Sequence, residues 1–282
     1  MFNMVSLSLI SILVGFFGSL TGLGGASILI PILVLLGIPV KEAIASGMVA
    51  IIATSSGSAA SYVKERITNV KVAMFLEMFT ISGAIIGATI TTIIRPTFLY
   101  FFFAAFLMTS FLKLRKPKNI QHEQSYEFSN ALARDKVSKW LGLRGTYYDE
   151  SIKRTVEYHA DNAILGGLGM LGAGLAAGML GIGAGAFKVT VQENILKLPP
   201  KVSSATSNFI IGMTALAGVS VYLFSGLLNL TLMAPMAVGT TIGAIIGGRI
   251  LNKMRDSTLR ILFFSIVIYL IIQMLYKGVV SL

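Results

Sequence analysis

The chain has no cysteine, two histidines, one tryptophan and only 12 acidic residues in 282. Without cysteine there is no disulfide, zinc ribbon or thiol chemistry, and the redox compartment leaves no mark. The histidines, His122 and His159, both fall in one hydrophilic stretch. No paired acids, metal cluster or nucleophile with a base accompanies them, so an enzyme such as an intramembrane hydrolase is excluded and no cofactor is expected. A Walker A sequence is missing, which rules out nucleotide hydrolysis by that route. The acidic rings that a cation channel needs at depth are missing too.

What is abundant is apolar sequence: 55% of residues are hydrophobic and 12% charged. Stretches 4–20, 43–63, 72–94, 97–112, 163–180, 202–224, 230–251 and 259–276 each carry at most one charged residue. An apolar helix needs about 20 residues to cross a hydrocarbon layer of ~30 Å, and most of these suffice. The expected class is an all-α polytopic membrane protein in the cell membrane, with the lipid bilayer as a partner. The first stretch lacks a basic flank before it and is followed by more apolar sequence, so it reads as a first helix and not a cleaved leader.

The chain also matches itself. Residues 15–110 align without a gap on 175–270, a shift of 160, with 22 of 96 positions identical. The rarer matches carry the weight: Gly18/Gly178, Gly25/Gly185, Pro39/Pro199, Tyr62/Tyr222, Asn69/Asn229 and Arg95/Arg255. Gly83-Ala-Ile-Ile-Gly87 recurs verbatim at 243–247. Two copies of one membrane unit is the build of many secondary transporters, whose substrate site lies between the copies. The expected division is repeat one over 1–112, a cytosolic linker over 113–161 and repeat two over 162–282.

Net charge is +11, but ten of the 23 Lys and Arg lie between Lys113 and Arg154. That clustering marks a cytoplasmic face by the positive-inside rule and argues against a nucleic-acid partner. The same rule orients the copies. Loop 64–71 holds Lys64, Arg66 and Lys71, whereas its equivalent 224–231 holds no basic residue. One loop later the bias reverses, with Arg95 alone in 89–98 against Arg249, Lys253 and Arg255 in 249–258. The expectation is antiparallel copies with the linker inside and both termini outside. Within the linker, paired tyrosines, Gly145 and the Thr155-Val-Glu-Tyr158 alternation predict a small hairpin over 143–158. Residues 116–138 are expected to be irregular or helical.

Helical patterning breaks at two glycine clusters, Gly22-Leu-Gly24-Gly25 and Gly181-Ile-Gly183-Ala-Gly185. Each glycine costs a helix interior about 1 kcal/mol against alanine, which favours unwound backbone. The segments that follow, 26–36 and 186–196, would rise only about 17 Å as helices, so each copy is expected to contain a broken or re-entrant element. Unwound backbone is tolerated at depth only where protein or water surrounds it. A helix starting there presents free amides that favour an anion. The plainer reading, close helix approach, is preferred for Gly15, Gly18, Gly83 and Gly87.

Lys188 stands three residues past Gly185, where the ungapped match places Ile28. A lysine near mid-bilayer costs about 2.5–3.5 kcal/mol on insertion scales and faces a cavity, a partner or an anion. Gln192 and Glu193 follow, and Glu193 is its candidate counter-ion. Glu77 is read as a satisfied acid near a helix end. Ser46, Gly47, Thr206, Ser207 and Asn208 follow the two prolines, where they serve either as oxyanion ligands or as bonds back to their own helix. Thr54 and Thr214 form a further matched pair.

The glycine cluster followed by Pro31-Ile-Leu, the Gly37-Ile-Pro39 to Ala45-Ser46 stretch and the duplicated Gly83–Gly87 element resemble the TauE/SafE sulfite exporter family, also described as toluene-sulfonate uptake permeases. The resemblance covers both repeats. It implies a permease for sulfite, sulfonates, sulfoacetate or related organic anions, with Gly22, Gly24, Gly25, Gly181, Gly183 and Gly185 lining the path. Copy two departs from the pattern at Val191, Ala184, Lys188 and Glu193. The leading expectation is an exporter of small anions working between inverted repeats. The alternatives are uptake coupled to protons or sodium, and a scaffold or receptor acting through its linker.

Overall fold

The structure, a computed structural model, describes residues 4–21, 25–64, 67–115, 135–149, 153–251, 268–269 and 271–280. The described chain is mostly helical: α1 Met4–Thr21, α2 Ala26–Leu35, α3 Val40–Lys64, α4 Val70–Ile93, α5 Pro96–Arg115, α6 Lys136–Trp140, α7 Ala163–Leu180, α8 Gly185–Asn194, α9 Pro200–Phe224 and α10 Leu230–Leu251. A final helix, α11, covers Ile271–Val280. Strands β1 Arg144–Asp149 and β2 Arg154–His159 pair antiparallel, forming the hairpin expected in the linker. Linker residues 116–134 lie outside the described residues. Helices α4, α7 and α9 are long and apolar enough to cross a membrane, and α2, α11 and the apolar parts of α1, α5 and α10 are shorter.

The element boundaries repeat, with one slip. Val40 and Pro200 open α3 and α9, Val70 and Leu230 open α4 and α10, and 200 − 40 = 230 − 70 = 160. Before that point the offset is 185 − 26 = 194 − 35 = 159, from the starts and ends of α2 and α8. The extra residue lies in the turn after α8. Gly37 and Lys197 are its left-handed residues, with φ of 90° and 58°, so Leu196 is the insertion. Leu196 is fully buried, and its carbonyl accepts the Asp161 amide at 3.0 Å, fastening the linker's end. The ungapped match is therefore corrected. Gly15 answers Gly174, Gly25 answers Ala184, and Lys188 answers Leu29, not Ile28.

The equivalent helices exchange partners: α1 packs along α10, α7 along α4, and α3 against α9. Small residues make the paired contacts. A Cβ on Gly15 would enter the Thr240 backbone, and one on Gly174 would enter that of Thr80, the matched threonine. Gly243 likewise meets Ile12, and Gly83 and Gly87 meet Leu171 and Leu175. Backbone-to-backbone approach of this kind admits no side chain, which is how apolar helices associate in lipid.

Hydrogen bonds place the helix ends at two poles. At one, Asn69 caps α4 by accepting from the Val72 amide at 3.1 Å, and its own amide donates to Thr206 Oγ1 of α9 at 3.2 Å. Asn69 Nδ2 also donates to the Arg144 carbonyl at 3.3 Å and to Tyr158 Oη at 3.0 Å, docking the hairpin there. Tyr147, Tyr158 and Leu143 are buried with Val72, Leu76, Leu198 and Val202. Burial pushes the Tyr158 phenol upward, against the opposing pull of the Asn69 bond. Asp135 completes this pole. Its carboxylate accepts from the Val137 amide of α6 at 3.1 Å and the Ala163 amide of α7 at 3.0 Å. The Val137 bond leads in holding that carboxyl below its usual range.

The other pole gathers the opposite ends. Tyr222, late in α9, donates to the Gly178 carbonyl at 2.7 Å. Thr91, late in α4, donates to Met179 of α7 at 3.1 Å, and Lys41, early in α3, donates to the Thr92 carbonyl at 2.7 Å. From α11, Lys277 donates to the Val34 carbonyl at 2.6 Å, satisfying the end of α2.

Candidate functional site

The second glycine cluster is an interruption between two helices. Gly181 ends α7 with φ 66°, Gly183 follows at 70° and Ala184 at 49°, after which α8 begins. These left-handed residues explain why the segment is rich in glycine. The break is wedged between the halves. A Cβ on Gly181 would strike the Ile44 carbonyl of α3, and one on Gly183 would lie 2.9 Å from Ile211 of α9 and 3.4 Å from Ile51 of α3. Gly47 of α3 faces it, its own missing Cβ 3.5 Å from the Gly181 carbonyl.

In the first half α1 is described as far as Thr21, and α2 starts at Ala26 behind Gly25, which has φ −55°. Gly22 and Gly24 lie outside the described residues. Gly25 and Gly185 are both buried.

Lys188 is fully buried on α8, and its ammonium donates to Thr214 Oγ1 of α9 at 2.8 Å. Glu77 of α4 acts on it electrostatically, a second acid beside the Glu193 weighed from sequence. Glu77 is also not a satisfied helix-end acid: it is 6% exposed, and Oε1 has no hydrogen-bond partner among the described residues. One turn beyond Lys188, Gln192 is 0% exposed, with neither Oε1 nor Nε2 partnered among the described residues.

The residues after the prolines divide. Ser46 is buried with a hydroxyl unpartnered among the described residues, and Ser207 donates to the Gly185 carbonyl at 3.4 Å, bracing the break. Thr206 is taken up by the Asn69 amide, and Asn208 bonds back to Ser204 of its own helix at 3.1 Å. For Asn208, that is the local reading weighed from sequence. The matched threonines both donate to their own helix, Thr54 to Ile51 at 3.1 Å and Thr214 to Ile210 at 2.6 Å, and Thr214 also accepts from Lys188. An open surface groove lined by Ala53, Ala237, Val238, Thr241 and Ile242 is almost wholly apolar and contains none of these buried polar groups.

The structure thus brings Gly47, Gly181 and Gly183 together between the halves, with Gly185, Ser207, Lys188 and Thr214 along α8 and α9. The grouping missed from sequence is Glu77 with Lys188 and Gln192. The signal available was an acid, an ammonium and an amide in otherwise apolar stretches.

No solved structure matches the chain. Over 290 residues it is 26% identical to the probable membrane transporter protein YunE of Bacillus subtilis (strain 168), covering 99% of this chain and all of that protein. It is 25% identical over 257 residues to the probable membrane transporter protein YdhB of the same organism, covering 91% of this chain and 92% of the relative. The family model described as sulfite exporter TauE/SafE matches residues 7–274. A multi-pass membrane transporter and no enzyme, the chain belongs to the sulfite exporter TauE/SafE family.

Proposed function

We propose that the protein is a permease for small sulfur-containing or organic anions of the sulfite, sulfonate or sulfoacetate type, exporting them through a site between inverted halves. The observation that carries this reading is Lys188: a fully buried ammonium directly after a helix break that packs on α3 of one half and α9 of the other. Buried positive charge beside helix-start amides favours an anionic solute. Gly22, Gly24, Gly25, Ser46, Gly47, Gly181, Gly183, Gly185, Lys188 and Ser207 are proposed to line the path. Thr206 and Asn208 contribute through helix positioning.

Inversion is supported by the helix ends. Asn69, just past α3, bonds Thr206 near the start of α9, so these equivalent helices meet end to start. Exchanged packing alone suits a two-fold axis either in or across the bilayer, but this end-to-start meeting and the reversed loop charges favour the former. The hairpin also docks beside the basic loop 64–71, in keeping with both being cytoplasmic.

Export follows from the membrane potential, which drives each negative charge outward by about 2.3 kcal/mol per 100 mV. Uptake coupled to protons is the second reading, favoured by Glu77, the one buried carboxylate among the described residues. Purified protein in liposomes should move labelled sulfite or methanesulfonate at a rate that rises with a potential negative on the loaded side. Lys188→Ala should abolish that flux. Potential-independent flux driven by a pH gradient would favour the second reading, and unchanged flux in Lys188→Ala would remove the lysine from the path.

A further inference from the structure

The two halves supply an internal control for the buried polar cluster. With the offsets of 159 before the α8 turn and 160 after it, Lys188, Gln192, Thr214 and Glu77 answer to Leu29, Leu33, Thr54 and Ala237. Leu29 and Leu33 are both fully buried. One packing frame is therefore closed by leucines in the α2–α3 half, and by an ammonium and an amide, with a carboxylate nearby, in the α8–α9 half. Helix packing at these positions does not require polar groups.

Keeping them is costly. A lysine at depth is disfavoured in a bilayer, and each buried polar group without a partner adds its own desolvation penalty. Of three ammonium donors, Thr214 takes one. Gln192 sits one turn along the same helix with its amide unengaged among the described residues, so the two residues share one face of α8. Such a donor set suits an acceptor with several oxygens.

We propose that Lys188 and Gln192 are the ligands of a single small-oxyanion site carried by one half only, with Glu77 the internal counter-ion that holds the ammonium until the anion arrives. This deepens the permease reading and rests on it. Gln192 enters as a substrate ligand, and the chain binds one anion in spite of its two-fold build.

The test puts at each position the residue its counterpart carries in the other half, as the triple variant Glu77→Ala/Lys188→Leu/Gln192→Leu, alongside Gln192→Leu alone. Each is purified full-length, its melting temperature taken in detergent, and counterflow of labelled sulfite and methanesulfonate measured in liposomes. The triple variant should melt no lower than wild type, because apolar replacement of a buried charge pair is neutral or stabilising. Its counterflow should fall by about 100-fold or more, while Gln192→Leu raises KM about 10-fold with kcat little changed. A triple variant with wild-type KM and rate overturns the site. One that fails to fold shows the polar set to be structural and overturns it as well. Wild type that moves neither anion overturns the permease reading, and the site falls with it.

Discussion

Asp135 shows how much one side chain can decide. A single carboxylate caps α6 and the first turn of α7, and so ties the linker to the second half. Loss of a capping side chain costs about 1 kcal/mol. Asp135→Ala should therefore speed amide exchange at Val137 and Ala163 together, and sparing either would show that the two caps are separate. Because its folded carboxyl is held below the usual range, foremost by the Val137 amide, its contribution is complete above the unfolded value and fades as pH falls through the folded one. The exchange difference between wild type and Asp135→Ala should vanish in acid and persist at neutral pH. Residues of this kind were hard to read from sequence. Lys188 announces itself because a charge in an apolar run is costly wherever it lies. Glu77 is such a charge too, but its grouping with Lys188 and the bonds of Asn69 are not legible, because the partners arrive from distant helices and only packing identifies them.

At the scale of elements, helix extents and the hairpin were legible because composition and turn chemistry are local. The one-residue slip was not. In glycine-rich sequence, chance identities such as Gly18/Gly178 and Gly25/Gly185 conceal a gap that only the turn containing Lys197 exposes. The close helix approaches give a controlled prediction. Gly83→Ala would drive a methyl into the Leu171 backbone, whereas Gly172, exposed on α7, has nothing within 4 Å of its missing Cβ. Overpacking costs about 1–3 kcal/mol, so Gly83→Ala should lower the melting temperature in detergent. Gly172→Ala should leave it unchanged or raise it, since alanine gains about 1 kcal/mol over glycine in a helix. Equal effects of the two would mean that the α4–α7 contact is not a tight interface.

At the scale of the whole molecule, the proposed inversion ties every functional statement to sidedness. If the equivalent helices α3 and α9 run in opposite directions, the two breaks enter from opposite faces and meet near mid-depth, where one solute is reached alternately from each side. If they ran the same way, both breaks would open to one face, and Lys188 would line a vestibule instead of a crossing. The absence of cysteine makes the distinction directly measurable, because single cysteines need no background removed. With intact cells and an impermeant thiol reagent, Arg95→Cys should label, while Arg66→Cys and Arg255→Cys should label only after the membrane is opened. Arg66 and Arg255 emerging on opposite sides would break the inverted arrangement and move Lys188 out of any shared path. Agreement between them would leave the buried Lys188 ammonium at the one depth where both halves can present it to each compartment in turn.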